Sequence, residues 1–244
     1  MHKFHIPSEN ISADKIIISD KGRVHHIKDV LRLKPKDKVI LFDERANEYT
    51  ADIEKVSSGG ISLKVKEKSV STASGKFRLT VACAIPKKAK MDDIIDKLTQ
   101  LGVDRIIPLK TGRTVVKIDK HKEAGRKARW EKIAVNAAQQ SQRPGLPVID
   151  PIKDIKEILE ESRDFDLKLI PTLAGKRRFL KEIFAKACPR NILVLIGPEG
   201  DFTPKEVAAA LKTGFIPVTL GKLVLRVDTA AVTVTSFIRL YENG

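Results

Sequence analysis

The chain has 244 residues, of which 42% are hydrophobic, so it can form one large domain or two modest domains with a sizeable core. Its 46 Lys+Arg against 31 Asp+Glu give a formal net charge of +15, which favours a polyanionic partner such as a nucleic acid. No apolar run approaches membrane-spanning length, and the N-terminus lacks the apolar core of a signal peptide. We therefore expect a soluble, cytoplasmic protein without a membrane partner.

The first third of the chain contains short strand-like segments. They lie at residues 15–18, 38–42, 48–56 and 61–65. Ser57-Ser58-Gly59-Gly60 joins the last two segments and is a hairpin signal. A short helix is expected around residues 25–32. A stretch of Ser, Thr, Ala and Gly near residues 69–76 has no apolar period, so we predict a small β-barrel over residues 1–72 and a second domain over 73–244.

Strands and helices alternate in the second domain. Strands are predicted at residues 77–85, 105–109, 167–170, 191–196 and 215–220, and helices at residues 91–101, around Trp130, and at 178–187, 204–213 and 230–240. Gly102 closes the first of these helices. Alternation of this kind predicts an α/β fold with a mostly parallel sheet that is covered on both faces.

The strand at residues 191–196 runs into GPEGDFTPKE at residues 197–206. Thr203 is a natural N-cap, and the proline and glutamate that follow it suit the first helical turn and a capping box. Gly197 and Gly200 have no Cβ atom, so a ligand can approach the main chain closely. An ordinary strand-to-helix turn is the alternative, and neither common phosphate-loop motif is present.

The strand at residues 215–220 runs into GKLVLRVDTAA at residues 221–231. Arg226 lies in the otherwise apolar part of this loop, and Asp228 follows at the predicted cap of the last helix. Because burial of an isolated arginine is costly, Arg226 must be paired, exposed or functional. An Arg226–Asp228 ion pair that closes the loop is the structural alternative. Both loops follow buried strands of one predicted sheet, so we expect them to form one ligand pocket.

Most of the excess positive charge falls in the middle of the chain. Residues 73–143 hold 17 Lys+Arg against 7 Asp+Glu. A basic surface supplies the salt-dependent part of nucleic-acid binding. A solvated charged surface is the alternative, and aromatic residues at 5% give no obvious platform for base stacking.

The two cysteines, Cys83 and Cys188, each lie inside or beside an apolar segment. Buried core thiols are therefore expected rather than a disulfide. No Cys/His cluster has the spacing of metal ligands, so no metal is expected.

Several blocks spread over the whole length carry a resemblance to a known family. They are HHIKDVLR at residues 25–32, KLTQLGV at 97–103, NAAQQSQR at 136–143, and the two loops at 197–206 and 221–231. In this order they resemble the bacterial 16S ribosomal RNA (uracil N3) methyltransferase family, knotted enzymes of the SPOUT class that use S-adenosylmethionine. The family usually has Glu where this chain has Gln100, Gln139 and Asp228, and commonly Gly where it has Asp201.

The resemblance implies a fold, an activity and partners. The fold is a PUA-like RNA-binding β-barrel followed by a trefoil-knotted α/β methyltransferase domain. The activity is methylation of N3 of a specific uridine in the 16S rRNA of the small ribosomal subunit, by a homodimer to which the last helix contributes contacts. A knotted methyltransferase of a ribose 2′-hydroxyl and a non-catalytic RNA-binding protein of the same fold are the alternatives.

The resemblance also implies site residues. Members of the family hold the cofactor mainly with backbone groups of three loops, which fall here on residues 171–173, 196–200 and 220–225. The cofactor-binding set is Thr172, Leu173, Ile196, Gly197, Glu199, Gly200, Leu220, Gly221, Leu223 and Leu225. We assign Arg226 to stabilising a uracil anion, and Asp228 or Glu199 to orienting Arg226 or accepting the proton. The expected RNA contacts are Arg32, Lys120, Lys122, Arg126, Lys127 and Arg143.

Overall fold

The computed structural model describes residues 1–12, 14–70, 75–87, 90–114 and 120–242. The chain divides into two compact units. The first comprises residues 1–73 and 138–146, and the second comprises residues 74–137 and 147–244. Among the described residues, no helix has the length and apolar character needed to cross a membrane.

The first unit contains a six-stranded sheet with the order β1-β4-β5-β6-β3-β2. Its strands are β1 (His2–His5), β2 (Ile11–Ser12), β3 (Lys15–Ile18), β4 (Lys38–Phe42), β5 (Asn47–Ser57) and β6 (Gly60–Val70). Neighbouring strands are antiparallel except β1 and β4, which are parallel. The four predicted strands and the hairpin between β5 and β6 are confirmed. The sequence did not predict β1 and β2, because segments this short show no clear period.

Helix α1 (Lys21–His25) of the first unit begins at Asp20, whose side chain accepts a hydrogen bond from the backbone N–H of Arg23 at 2.9 Å. The helix continues as a π-helical turn over His26–Val30. The predicted short helix is therefore confirmed up to Val30 but does not include Arg32, which has a left-handed backbone φ of 54°.

The second unit contains a sheet with the order β10-β8-β7-β13-β11-β14-β12, with β9 paired to β8. Its strands are β7 (Arg78–Ala84), β8 (Arg105–Lys110), β9 (Val148–Ile149), β10 (Lys153–Asp154), β11 (Leu167–Pro171), β12 (Arg178–Phe179), β13 (Asn191–Ile196) and β14 (Ile216–Thr219). All the recorded pairings in this sheet are parallel, as predicted. The five predicted strands are β7, β8, β11, β13 and β14.

The helices of this part of the chain are α2 (Lys90–Gln100), α3 (Glu123–Gln140), α4 (Ile155–Glu161), α5 (Leu180–Phe184), α6 (Pro204–Lys212) and α7 (Val227–Glu242). Two details of the prediction are wrong. The helix expected at 178–187 covers only α5, because residues 178–179 form β12. Helix α7 begins earlier than expected, so Asp228 lies in its first turn and is not its cap. The sequence did not predict α4, which begins with a capping box formed by Asp154 and Glu157.

Two apolar layers cover the sheet of the second unit. Val81, Cys83 and Val194 pack in one layer, whereas Ala82 and Leu195 pack in the other. Successive residues of one strand point to opposite faces of a sheet, so both faces are buried and the strands are apolar throughout. Each fully buried Leu, Ile or Val contributes about 1.5–3 kcal/mol to folding.

The two cysteines differ in burial. Cys83 is buried in β7, as expected, but Cys188 is exposed. The expectation for Cys188 is wrong because α5 ends at Phe184. Cys188 therefore lies in the connection to β13, beyond the apolar face of the helix.

Candidate active site

A cleft lies where three neighbouring strands of the second unit end. β13, β11 and β14 are adjacent and parallel, so their carboxyl ends meet at one edge of the sheet. The loops that follow them begin at Thr172, Gly197 and Leu220. Ligand sites of open α/β sheets form at this kind of edge.

The cleft is open to solvent and has about 600 Å³ of empty space when its open mouth is included. It is lined by Pro171, Thr172, Leu173, Arg177, Ile196, Gly197, Pro198, Glu199, Asp201, Val218, Leu220, Gly221, Leu223, Val224, Leu225, Val227 and Ala230. All the predicted cofactor residues except Gly200 are in this set. The sequence interpretation did not select Arg177, whose guanidinium donates a hydrogen bond to the carbonyl oxygen of Thr172 at 3.3 Å.

The two glycines of the first loop differ in surroundings. A Cβ atom on Gly197 would lie 3.0 and 3.1 Å from ring carbons of Phe202, so this position has almost no room for a side chain. A Cβ atom on Gly200 would lie 3.6 Å from Cδ of Arg113, which is an ordinary contact. Gly200 lines a neighbouring apolar depression together with Phe202 and Val207. Gly200 is not among the residues that line the cleft, and its part in binding the cofactor stays a prediction.

The start of α6 fixes the far end of this loop. Oγ1 of Thr203 accepts a hydrogen bond from the backbone N–H of Glu206 at 3.2 Å, and Oε2 of Glu206 accepts one from the backbone N–H of Thr203 at 2.7 Å. The predicted capping box is thus confirmed. The other carboxylate oxygen of Glu206 accepts a hydrogen bond from the backbone N–H of Gly112 at 2.7 Å. The cap therefore also attaches the loop to the segment after β8.

Asp201 connects two walls of the cleft. Its Oδ2 accepts hydrogen bonds from Oγ1 of Thr172 at 2.9 Å and from the backbone N–H of Leu173 at 2.8 Å. The sequence interpretation noted Asp201 only as a departure from the glycine that is common in the family, and assigned it no role. That departure was the only hint in the sequence that Asp201 has a role in the cleft.

The predicted catalytic residues lie in two places: Glu199 is in the first loop, and Arg226 and Asp228 are at the start of α7. Arg226 is exposed, and no ion pair with Asp228 is recorded in the part of the chain that the structure describes. The structural alternative for Arg226 is therefore not observed. Oε1 of Glu199 accepts a hydrogen bond from the backbone N–H of Lys87 at 3.2 Å. Burial raises the pKa of the Cys83 thiol, and the negative charges of Asp228 and Glu199 raise it further.

The predicted RNA contacts are distributed over both units. Arg32 is exposed and Arg143 is half-buried in the first unit, whereas Lys122, Arg126 and Lys127 belong to the second unit. Nζ of Lys127 lies 3.4 Å from a carboxylate oxygen of Glu131 one turn later in α3. The side chain of Lys120 lies outside the described residues.

A row of lysines crosses the outer face of the first unit's sheet, and the sequence interpretation missed it. Lys15 of β3 lies opposite Lys64 of β6. Asp52 of β5 lies between Lys64 on one side and Lys38 of β4 on the other. Nζ of Lys66 is 3.5 Å from the carboxylate of Asp52. Lys15 and Lys64 are like charges directly opposite each other and destabilise the sheet, whereas Lys64 and Lys38 each lie opposite Asp52. The whole segment 1–72 has 14 Lys+Arg against 11 Asp+Glu, and this near balance hid the row.

Among the described residues, no group of three or more His, Cys, Asp or Glu side chains has a geometry that could hold a metal ion. The lining of the cleft offers carboxylate, guanidinium and main-chain groups. These groups can bind a charged organic ligand and can stabilise or accept a proton.

Comparisons with known proteins show the family of this chain. The family model described as RNA methyltransferase domain matches residues 73–239, and that described as RNA methyltransferase PUA domain matches residues 14–66. The chain is 30% identical over 212 residues to Ribosomal RNA small subunit methyltransferase E of Bacillus subtilis, covering 85% of this chain and 83% of that protein. It is 30% identical over 243 residues to the protein of the same name in Rickettsia conorii, covering 98% and 95%. The crystal structure of Ribosomal RNA small subunit methyltransferase E from Neisseria gonorrhoeae bound to S-adenosyl methionine has a TM-score of 0.85 at 26% identity, covering 98% of this chain and 97% of that chain. The chain therefore belongs to the RNA methyltransferase family, with a PUA domain ahead of its methyltransferase domain.

Proposed function

We propose that the protein transfers the methyl group of S-adenosylmethionine to N3 of a uridine in the 16S rRNA of the small ribosomal subunit. The observation that carries this proposal is the three-loop cleft, with the exposed cation of Arg226 between two of its lining residues, Leu225 and Val227. The names of the Bacillus and Rickettsia relatives support the RNA substrate, and the cofactor in the Neisseria crystal structure supports the methyl donor.

The residues of the cleft fit this cofactor. Its apolar lining, which includes Ile196, Val218 and Leu220, suits the faces of an adenine ring. The carboxylate of Glu199 suits the cationic groups of the cofactor, and the guanidinium of Arg177 suits its carboxylate. When bound, S-adenosylmethionine supplies an activated methyl group, so the protein's own residues have only to orient the nucleophile and make it available.

The nucleophile requires loss of a proton, because N3 of uracil carries one at neutral pH. If this N–H group titrates about two pKa units above neutral, its ionisation costs about 2.7 kcal/mol at ~1.36 kcal/mol per unit. A positioned cation in a site of low polarity offsets a cost of this size. Arg226 provides that cation, since no ion pair with a described residue neutralises it. Asp228 and Glu199 are the carboxylates that orient Arg226 or accept the proton.

The remaining parts of the proposal concern binding and assembly. Residues 1–72 act as the RNA-binding domain and residues 73–244 as the trefoil-knotted catalytic domain. Arg32, Lys120, Lys122, Arg126, Lys127, Arg143 and the lysine row of the first unit contact the phosphate backbone. The protein acts in the cytoplasm as a homodimer. Leu223 and Val224, which line the cleft and are 79% and 71% exposed, support a partner chain that completes each pocket. Analytical ultracentrifugation tests this association.

Replacement of Arg226 tests the catalytic assignment. Arg226→Ala is expected to bind cofactor and rRNA nearly normally but to lose about 100-fold or more in single-turnover methylation, on the order of 3 kcal/mol. The defect should shrink as the pH rises toward the pKa of the imide, because solvent then generates the anion. Arg226→Lys should restore part of the rate, since lysine keeps the charge but lacks the planar guanidinium.

Three outcomes contradict parts of this proposal. A loss of rate that does not change with pH and accompanies a lower melting temperature would make Arg226 a structural residue. Nucleoside mass spectrometry of the modified rRNA separates N3-methyluridine from a ribose 2′-O-methyl product. A protein that binds rRNA but fails to bind S-adenosylmethionine in calorimetric titration would be the non-catalytic alternative.

A further inference from the structure

The backbone of Asp201 has an unusual conformation for a residue with a side chain. Its φ angle is +60°, in the left-handed region that favours glycine. An aspartate tolerates this conformation better than most residues, but it still raises the energy of the folded loop. The contacts of the side chain therefore have to account for its presence.

Both carboxylate oxygens of Asp201 are engaged. Oδ2 accepts hydrogen bonds from Oγ1 of Thr172 and from the backbone N–H of Leu173. Oδ1 accepts one from the backbone N–H of Phe202 at 2.8 Å. Hydrogen bonds to an ionised acceptor are stronger than those between neutral groups. Asp201 therefore holds the loop after β11 against the loop after β13.

The loop after β11 has further contacts that depend on this link. Thr172 is buried, and its Oγ1 accepts a hydrogen bond from the backbone N–H of Ala174 at 3.2 Å while donating to Asp201. Leu173, by contrast, is 55% exposed, so packing does little to hold its main chain in place. The carboxylate of Asp201 is the contact that fixes the position of Leu173 at the edge of the cleft.

We propose that Asp201 is a positioning residue for S-adenosylmethionine, which sets the separation of two cleft walls and so increases affinity for the cofactor. This inference rests on the proposed function of the cleft. Glycine at this position has the preferred backbone conformation but offers no side chain to bridge the two loops. The link is thus a way in which this chain preorganises the pocket.

The backbone conformation separates this role from a merely structural one. Asp201→Gly removes the three side-chain hydrogen bonds but also relieves the left-handed backbone, so the two effects on stability oppose each other. A structural role predicts a change in melting temperature without a specific change in cofactor binding. A positioning role predicts weaker cofactor binding with little change in melting temperature.

The test compares wild type, Asp201→Gly, Asp201→Asn and a matched control, Asp166→Asn. Asp166 directly precedes β11 and also accepts two backbone N–H hydrogen bonds, from Arg190 and Asn191 at the start of β13, and it is outside the cleft lining. Isothermal titration with S-adenosylmethionine gives the affinity, and steady-state methylation separates KM for the cofactor from kcat. Amide hydrogen exchange at Leu173, measured without cofactor, reports the link itself.

We expect Asp201→Gly to weaken cofactor affinity about 10- to 100-fold and to raise KM, with kcat changed less than about threefold. Asp201→Asn, which keeps one acceptor oxygen, should show a smaller loss, and Asp166→Asn should show none. Exchange at Leu173 should become faster in Asp201→Gly. Affinity within about twofold of wild type, or unchanged exchange at Leu173, would overturn the proposal. If the wild type itself fails to bind S-adenosylmethionine, both the proposed function and this inference fail. Titration of the wild type distinguishes that outcome from failure of the inference about Asp201 alone.

Discussion

Gly197 is the position in the cleft where an added methyl group has the least room. Its Cβ atom would approach two ring carbons of Phe202 to 3.0 and 3.1 Å and Oδ1 of Asp201 to 3.4 Å. Phe202 is only 3% exposed, so its ring cannot move away into solvent. Gly197→Ala therefore forces either the ring or the loop to shift by a few tenths of an ångström, and the loop is a wall of the cleft.

The expected loss of stability in Gly197→Ala follows from the packing of this site. Extra methyl groups in a filled site cost about 1–3 kcal/mol. For a chain of this length, each 1 kcal/mol lowers the melting temperature by about 2–4 °C. Gly197→Ala should therefore lower it by about 2–12 °C and weaken binding of S-adenosylmethionine. Gly200→Ala is the matched control, because its Cβ atom would make an ordinary contact at 3.6 Å, and its stability should change by less than about 0.5 kcal/mol.

Thermal unfolding followed by circular dichroism gives the stability, and calorimetric titration gives the cofactor affinity. The reasoning is refuted if Gly197→Ala binds the cofactor as tightly as Gly200→Ala does. Equal losses in both variants would instead restore the symmetric interpretation of the two glycines that the sequence suggested. The pair therefore tests the contact of Gly197 with Phe202, and not only the importance of the loop.

Two further predictions concern the thiols and the lysine row. Burial raises the pKa of Cys83, whereas Cys188 is exposed. A thiol reagent at pH 8 should therefore modify Cys188 alone in the native protein and both residues in denaturant. Rapid modification of both cysteines in the native protein, measured by mass spectrometry, would contradict the structure. The double variant Lys15→Glu, Lys64→Glu should weaken rRNA binding and leave cofactor affinity unchanged. The slope of log K against log salt should fall by about 2, because about two fewer counterions are released. An unaltered slope would place the RNA away from this face.

The elements predicted well from sequence are those whose signal is local. β13 coincides with the predicted strand because five consecutive apolar residues, Ile192 to Ile196, end at a glycine. The start of α6 follows from Thr203 and the residues directly after it. α4 was missed because a seven-residue helix shows barely two turns of apolar period, although its capping box at Asp154 was a usable signal.

The parts of the site that the sequence could not predict depend on pairs of residues far apart in the chain. The hydrogen bond between Asp201 and Thr172 spans 29 positions, and the one between Glu206 and Gly112 spans 94. No periodicity relates such residues, because their proximity is created by the order of strands in the sheet. The lysine row is similar, since Lys15 meets Lys64 only through the register of β3 and β6. Charge counts along the chain average over such rows and conceal them.

The first loop of the cleft is held by three acidic side chains that each contact a different part of the second unit. Glu199 accepts a hydrogen bond from the backbone N–H of Lys87, Asp201 accepts one from the loop after β11, and Glu206 accepts one from the backbone N–H of Gly112. Each of these hydrogen bonds joins a carboxylate of this segment to a backbone N–H group elsewhere in the second unit, so the three carboxylates help to fix the position of the loop. A loop fixed at three points loses less conformational entropy when a ligand binds. The affinity of this cleft is therefore set partly by residues that lie along the loop, and not only by the atoms that meet the ligand.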